Sequence, residues 1–286
     1  MSNPVFGNSD IFGDPKDRAR ARQRAGGTTV QPAPYGVVDP AAEAAALNQM
    51  YQAPAATTAQ TGRLTYDDVI VKTGGLLALL VVVAAATWTL APGLFWIGAI
   101  VGLVLGLVNA FRREPSPALI IAYTVAQGVF LGGISYLFQN VAFDGGTVPA
   151  QPIVMQAVLA TLATFGAALF LFRSGKVRVT PKFTKWLLIS MVGYLAFSVV
   201  NVVLSFFFTS DAFGPLRQGG WGIIAGIVGV GLAAASLIMD FDSIKRGVEQ
   251  GVPAKFAWSA AFGLIVTLVW LYLEFLRLFA ILQGRD

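Results

Sequence analysis

Seven long apolar runs govern what this chain can fold into. They lie at about 69–90, 94–111, 117–138, 152–173, 184–208, 220–244 and 256–283. Each approaches or exceeds the ~20 residues a helix needs to cross a ~30 Å hydrocarbon core. Hydrocarbon offers the backbone no hydrogen-bonding partner, so such a run is stable there as a helix. The breaks carry matching punctuation. Thr65 with Asp68 three residues later predicts a capped helix start. Ala91-Pro92-Gly93 predicts a tight turn, and Ser116-Pro117 a cap followed by a first-turn proline. Gly145-Gly146 with Pro149, and Gly214-Pro215, mark two more loops. The predicted fold is all-α: a polytopic membrane protein with a seven-transmembrane-helix bundle over residues 64–286.

Residues 1–63 are a different polymer, rich in Ala, Gly, Pro, Gln and Thr. Such a segment buries too little apolar surface to offset its ordering entropy and is predicted to be a disordered tail. Its basic cluster KDRARARQR, Lys16 to Arg24, reads as a solvated, topology-enforcing tail. The sharper reading is contact with anionic lipid at the inner leaflet.

Basic residues predict the orientation. Seventeen fall on one side: Lys16, Arg18, Arg20, Arg22, Arg24, Arg63 and Lys72 before or opening the first span, Arg112 and Arg113 between spans two and three, Arg173, Lys176, Arg178, Lys182 and Lys185 between four and five, and Lys245, Arg246 and Lys255 between six and seven. Arg217, Arg277 and Arg285 are the three on the other. The asymmetry predicts a cytosolic amino terminus and an outside carboxyl terminus.

Several function classes are disfavoured. The chain has 286 residues, 56% hydrophobic and 12% charged, with no cysteine and no histidine. Disulfides, zinc thiolate sites and a Ser-His-Asp triad are therefore ruled out. No phosphate-loop, HExxH or GxSxG motif occurs, and no active-site motif accompanies the in-span acids, so an enzyme is not expected. The basic residues sit in the tail and loops, which gives no reason to expect nucleic acid.

Three acids lie in or at the edge of apolar spans: Asp240, Asp242 and Glu274. A charge at midbilayer costs about 2.5 to 3.5 kcal/mol on insertion scales. Each has a purely structural reading. Glu274 can pair with Arg277 three residues on, unless Arg277 snorkels outward. Asp240 and Asp242 can mark the end of span six and meet Lys245 and Arg246. Two residues apart on a helix, they point about 200° apart, so at most one faces the interior. Gln127 and Asn201 are in-span amides expected to bond between helices. The GxxxG pairs Gly102/Gly106, Gly128/Gly132 and Gly222/Gly226 are expected to pack the bundle. Trp270 is expected inside, away from the interfacial tryptophans.

These residues carry a resemblance. The seven spans, the glycine-rich GVFLGGIS in span three, a sixth span ending MDFDSI and a last span with LYLEFLRLF resemble the Bax inhibitor family (transmembrane Bax inhibitor motif proteins), in a bacterial type. The resemblance covers roughly residues 65–286 and leaves out the tail. It implies a pH-sensitive calcium leak channel in a bacterial inner (plasma) membrane, with roles in ion transport and stress response. It also implies an acidic pair between spans six and seven that closes the pore. On motif matching that pair is Asp242 and Glu274, with Asp240 the alternative and Arg277 a modulator. The same two carboxylates become the candidate Ca²⁺ ligands, and no other cofactor is implied.

Two departures bear on the geometry. The second acid is glutamate where the family usually has aspartate, and the two acids are further apart in sequence than the family norm. If span seven starts at Trp258, Glu274 lies sixteen residues deeper, ~24 Å along a helix. The pair then meets only if residues 254–264 are interfacial or re-entrant. Two functions remain: a proton-sensitive cation leak whose acids share a proton, and a non-conducting membrane regulator that binds a membrane protease or stress-response partner. The bilayer, H⁺ or Ca²⁺, and a membrane protein are the partners these readings call for.

Overall fold

The computed structural model describes residues 48, 62–140, 152–174, 179–207, 214–217 and 219–283. The chain divides into a unit of residues 1–55 and a unit of residues 56–286. The expected disorder and lipid contact of the tail lie outside the described residues.

Among the described residues seven α-helices follow in order: α1 (Tyr66–Leu90), α2 (Phe95–Phe111), α3 (Pro117–Asn140), α4 (Ile153–Arg173), α5 (Pro181–Ser205), α6 (Gly219–Glu249) and α7 (Ala257–Leu282). All seven are long and apolar enough to cross a membrane. No strand occurs among the described residues. The sequence explains the starts. Thr65 accepts from the Asp68 amide at 3.1 Å while Asp68 accepts from the Thr65 amide at 3.2 Å, a reciprocal box that satisfies two end donors. Thr180 caps α5 by accepting from the Phe183 amide at 3.2 Å, with Pro181 in the first turn.

The helices differ sharply in burial. Two thirds of the most apolar stretch of α7 is buried, against about a tenth for α2 and α5. That makes α7 the central post and leaves α2 and α5 facing lipid. One core joins Leu237 and Phe241 of α6 to Leu264, Leu268 and Leu271 of α7. Another joins Leu76 of α1, Ile120 of α3 and Ile153 of α4 to Ile265 and Leu276.

The small-residue pairs are spent within the chain. A Cβ on Gly102 would meet Gln127 at 2.8 Å, and one on Gly106 would meet the Tyr123 ring at 3.2 Å, so α2 packs on α3 there. Gly128 and Gly132 take the α1 backbone at Leu80 and Ala84, and Gly222 and Gly226 receive Ile281 and Leu278 of α7. Without a Cβ, the backbones approach closely, which is how apolar helices associate where no water drives them together.

Contacts sort the loops into two ends. Gly62 and Arg63, placed in the tail by composition, are docked instead. The Ala254 amide donates to the Gly62 carbonyl at 2.8 Å and the Leu64 amide to Val252 at 2.7 Å. Arg63 and Pro253 form an antiparallel bridge. Lys255 pairs with Glu114 at 3.0 Å. The approach to α1, the α2–α3 loop and the α6–α7 turn therefore share one end, hereafter the basic end. Asn201 accepting from the Leu216 amide at 2.9 Å places the α5–α6 loop at the opposite end. Asn201, an in-span amide of α5, thus holds this loop.

Candidate functional site

α6 and α7 run antiparallel and carry all three in-span acids. A stripe of small residues on α6, Gly222, Gly226, Gly229 and Ala233, is buried against its neighbours. At helical spacing this stripe continues to Asp240. There the Thr267 hydroxyl of α7 donates to the carboxylate at 2.8 Å. Thr267 also lies 3.2 Å from the Gly263 carbonyl. One hydroxyl hydrogen serves one acceptor at a time. An ionised Asp240 takes it. A protonated Asp240 can give its own hydrogen to Thr267, which then returns to Gly263. The interhelical contact thus has a bonded form in both states of the acid.

Asp240 forms the floor of a cavity of about 570 Å³ lined also by Ser243, Gln250, Ser259 and Gly263. Arg246 is the charged group on that wall, and it is committed to Asp242 at 2.9 Å. α7 faces Asp240 with Ser259 and Thr267, neither charged. Leu64 lines the cavity where the chain approaches α1. Asp240 is the in-span carboxylate without a basic partner among the described residues.

Asp242 lies off the buried stripe and makes its ion pair with Arg246, whose side chain is over half exposed. The preference for Asp242 over Asp240 as the interior acid is therefore reversed. Which of two acids faces inward depends on which face of α6 is packed, and motif matching alone does not report that.

Glu274 is 3% exposed and held from three sides. Arg277 donates to both carboxylate oxygens at 3.2 Å. The Trp270 indole donates at 3.2 Å. Arg217, from the α5–α6 loop, reaches Oε2 at 3.5 Å. The expected Arg277 pair and the inward Trp270 are both present. Arg217 is fixed in turn by donating to Ser198 at 2.8 Å and by lying 5.1 Å over the Tyr194 ring. Gly229 makes room for this cluster, since a Cβ there would meet Glu274 Cδ at 2.8 Å.

Gly229 also measures how far apart the acids are. It stands against Glu274, yet precedes Asp242 by thirteen residues, about 20 Å along α6. α7 is continuous from Ala257, so the re-entrant segment that would bring Glu274 down to Asp242 does not form. Leu237, Leu268 and Leu271, all buried, fill the space between Asp240 and Glu274. Asp242 and Glu274 are therefore neither a proton-sharing pair nor joint Ca²⁺ ligands in this conformation. Among the described residues no group of three or more acids is placed to hold a metal ion.

Sequence reasoning missed two partners. Thr267 was legible, because Thr267, Trp270 and Glu274 fall on one stripe of α7. Arg217 was counted only as a loop charge, and its reach into the bundle starts from a turn in which the Arg217 amide donates to the Gly214 carbonyl at 3.2 Å.

Seven apolar helices around a buried acid-and-arginine interior define an integral membrane protein. The chain belongs to the Bax inhibitor 1 like family, which it matches over residues 3–284. The match takes in most of the tail, which the sequence resemblance had left out. Comparison with curated proteins gives no match. Family membership supports a membrane regulator or a channel-like role in general.

Proposed function

We propose that the protein is a proton-sensitive cation leak pathway, with Ca²⁺ the first ion to test, and that Asp240 is its titrating group. The observation that carries this reading is the carboxylate of Asp240, turned into the bundle with Thr267 as its partner and, among the described residues, in no ion pair, since Arg246 in the same cavity wall is held by Asp242. An ionised acid in a low-dielectric interior demands a countercharge. A proton or a hard cation with oxygen ligands can supply it. Asp240 would therefore exchange one for the other at the floor of a cavity open at the basic end. The Leu237, Leu268 and Leu271 layer would be the closed part of the path. Parting α6 from α7 there would join this cavity to the polar cluster around Glu274.

The second reading is a non-conducting regulator that binds a membrane protease or stress-response partner. It draws support from Glu274, whose charge is answered by two arginines and so needs no ion. Ca²⁺ entry into liposomes containing the full chain separates the two. A leak gives entry above protein-free liposomes that changes between pH 5 and pH 8. Entry equal to protein-free liposomes at every pH would leave the regulator.

The same proposal sets the basic end in the cytosol, on the 17-to-3 distribution of basic residues. A reporter fused after Gly284 should then be active only outside. A cytosolic signal would invert the orientation.

A further inference from the structure

A second cavity, of about 900 Å³, runs along α5 between α3 and α7, with the Arg217–Glu274–Arg277 cluster in its wall. It extends from Leu188 to Ser205, about 25 Å of helix. Its two halves differ in chemistry. Towards the basic end the α5 wall is Leu188, Met191 and Val192. Towards the other end Tyr194, Ser198, Asn201 and Ser205 join Leu195 and Val202 in that wall, and the polar side chains face Arg217 and Arg277. Leu188, Val192 and Leu195 are each at least half exposed on a helix that faces lipid, so the groove opens sideways into the bilayer.

The charges at the polar half do not balance. Among the described residues, two arginines share one carboxylate, leaving one excess positive charge. Arg217 is 4% exposed, and its Nε is buried with no hydrogen-bond partner among the described residues. An uncompensated buried cation is costly, and so is an unsatisfied donor. Both features call for one more anionic oxygen acceptor beside Arg217.

We infer that this groove binds an anionic phospholipid, its acyl chain along the apolar half and its phosphate beside Arg217 and Arg277. Arginine suits that headgroup because the guanidinium carries several donors in a fixed plane. The sideways opening selects a lipid over a soluble anion, since the ligand arrives from the hydrocarbon. The length of the groove suits a chain with a head at one end. Lipid binding in this groove is independent of conduction.

The test uses the delipidated full chain and native mass spectrometry, with phosphatidylglycerol, phosphatidylcholine or inorganic phosphate added separately. Phosphatidylglycerol should be retained, and the other two should not. Arg217→Gln should weaken retention by roughly tenfold, since a charge-assisted contact is lost. Leu195→Trp, at a lipid-facing position, should block the chain and lower retention while the unfolding temperature holds. Equal retention of phosphatidylcholine would overturn the inference, as would retention of inorganic phosphate by itself. Unchanged retention in both folded variants would overturn it too.

Discussion

Glu274→Ala should destabilise the protein more than any other single change at the α6–α7 interface. The carboxylate answers both Arg217 and Arg277 from a position 3% exposed. Removing it leaves two guanidinium groups facing each other with no anion among the described residues. Breaking a buried pair by deleting one partner typically costs about 3–5 kcal/mol, because the survivor stays buried and unpaired. For a domain of this size that is a fall in unfolding temperature on the order of 10 °C. Arg277→Gln should cost less, because Glu274 keeps Arg217 and the local charge becomes balanced. The ranking is thus as informative as the size. It is read from thermal unfolding of the purified full chain in detergent. A loss below about 1 kcal/mol for Glu274→Ala would mean the cluster does not hold the arginines.

Asp240→Asn should flatten the pH dependence of Ca²⁺ entry, and Asp242→Asn should leave it intact. Asparagine keeps an acceptor for Thr267 and removes the charge, so the helices stay joined while the titration is lost. Asp242 is partly buried but its partner Arg246 is over half exposed, so losing the pair should cost about 1 kcal/mol. The shape of the profile also matters. Two acids sharing a proton titrate in two coupled steps. Asp240 has a threonine partner, so wild-type entry should follow a single-proton curve. Asp240 and Glu274 are separated by the leucine layer, so Asp240→Asn combined with Glu274→Gln should show additive effects on stability. Strong non-additivity would show that the two sites communicate.

The spans were legible in the sequence because hydrocarbon leaves the backbone so few choices. The predicted run at 117–138 became Pro117–Asn140, and the run at 152–173 became Ile153–Arg173. The Thr65 cap and the three small-residue pairs were legible for similar reasons. Each rests on residues within one or two turns of each other. The acid that faces inward was also written in the sequence, though in a longer pattern. Gly222, Gly226, Gly229, Ala233 and Asp240 follow one helical stripe, and Asp242 falls off it. A spacing of two residues shows that the acids diverge, and only the stripe says which one is inside. The pairing of Asp242 with Glu274 failed because α7 runs unbroken from Ala257. Arg217 was beyond local reasoning. Its side chain comes from an irregular loop and descends to the level of Gly229, and no periodicity encodes such a reach.

In the proposed leak, Asp240 holds a proton that a cation replaces. Infrared difference spectroscopy on the full chain in lipid, before and after adding Ca²⁺ at fixed pH, reads this directly. One protonated-carboxyl band should be lost in the wild type and in Asp242→Asn, and none should be lost in Asp240→Asn. A band that still disappears in Asp240→Asn would place the exchangeable proton on another acid and contradict the claim.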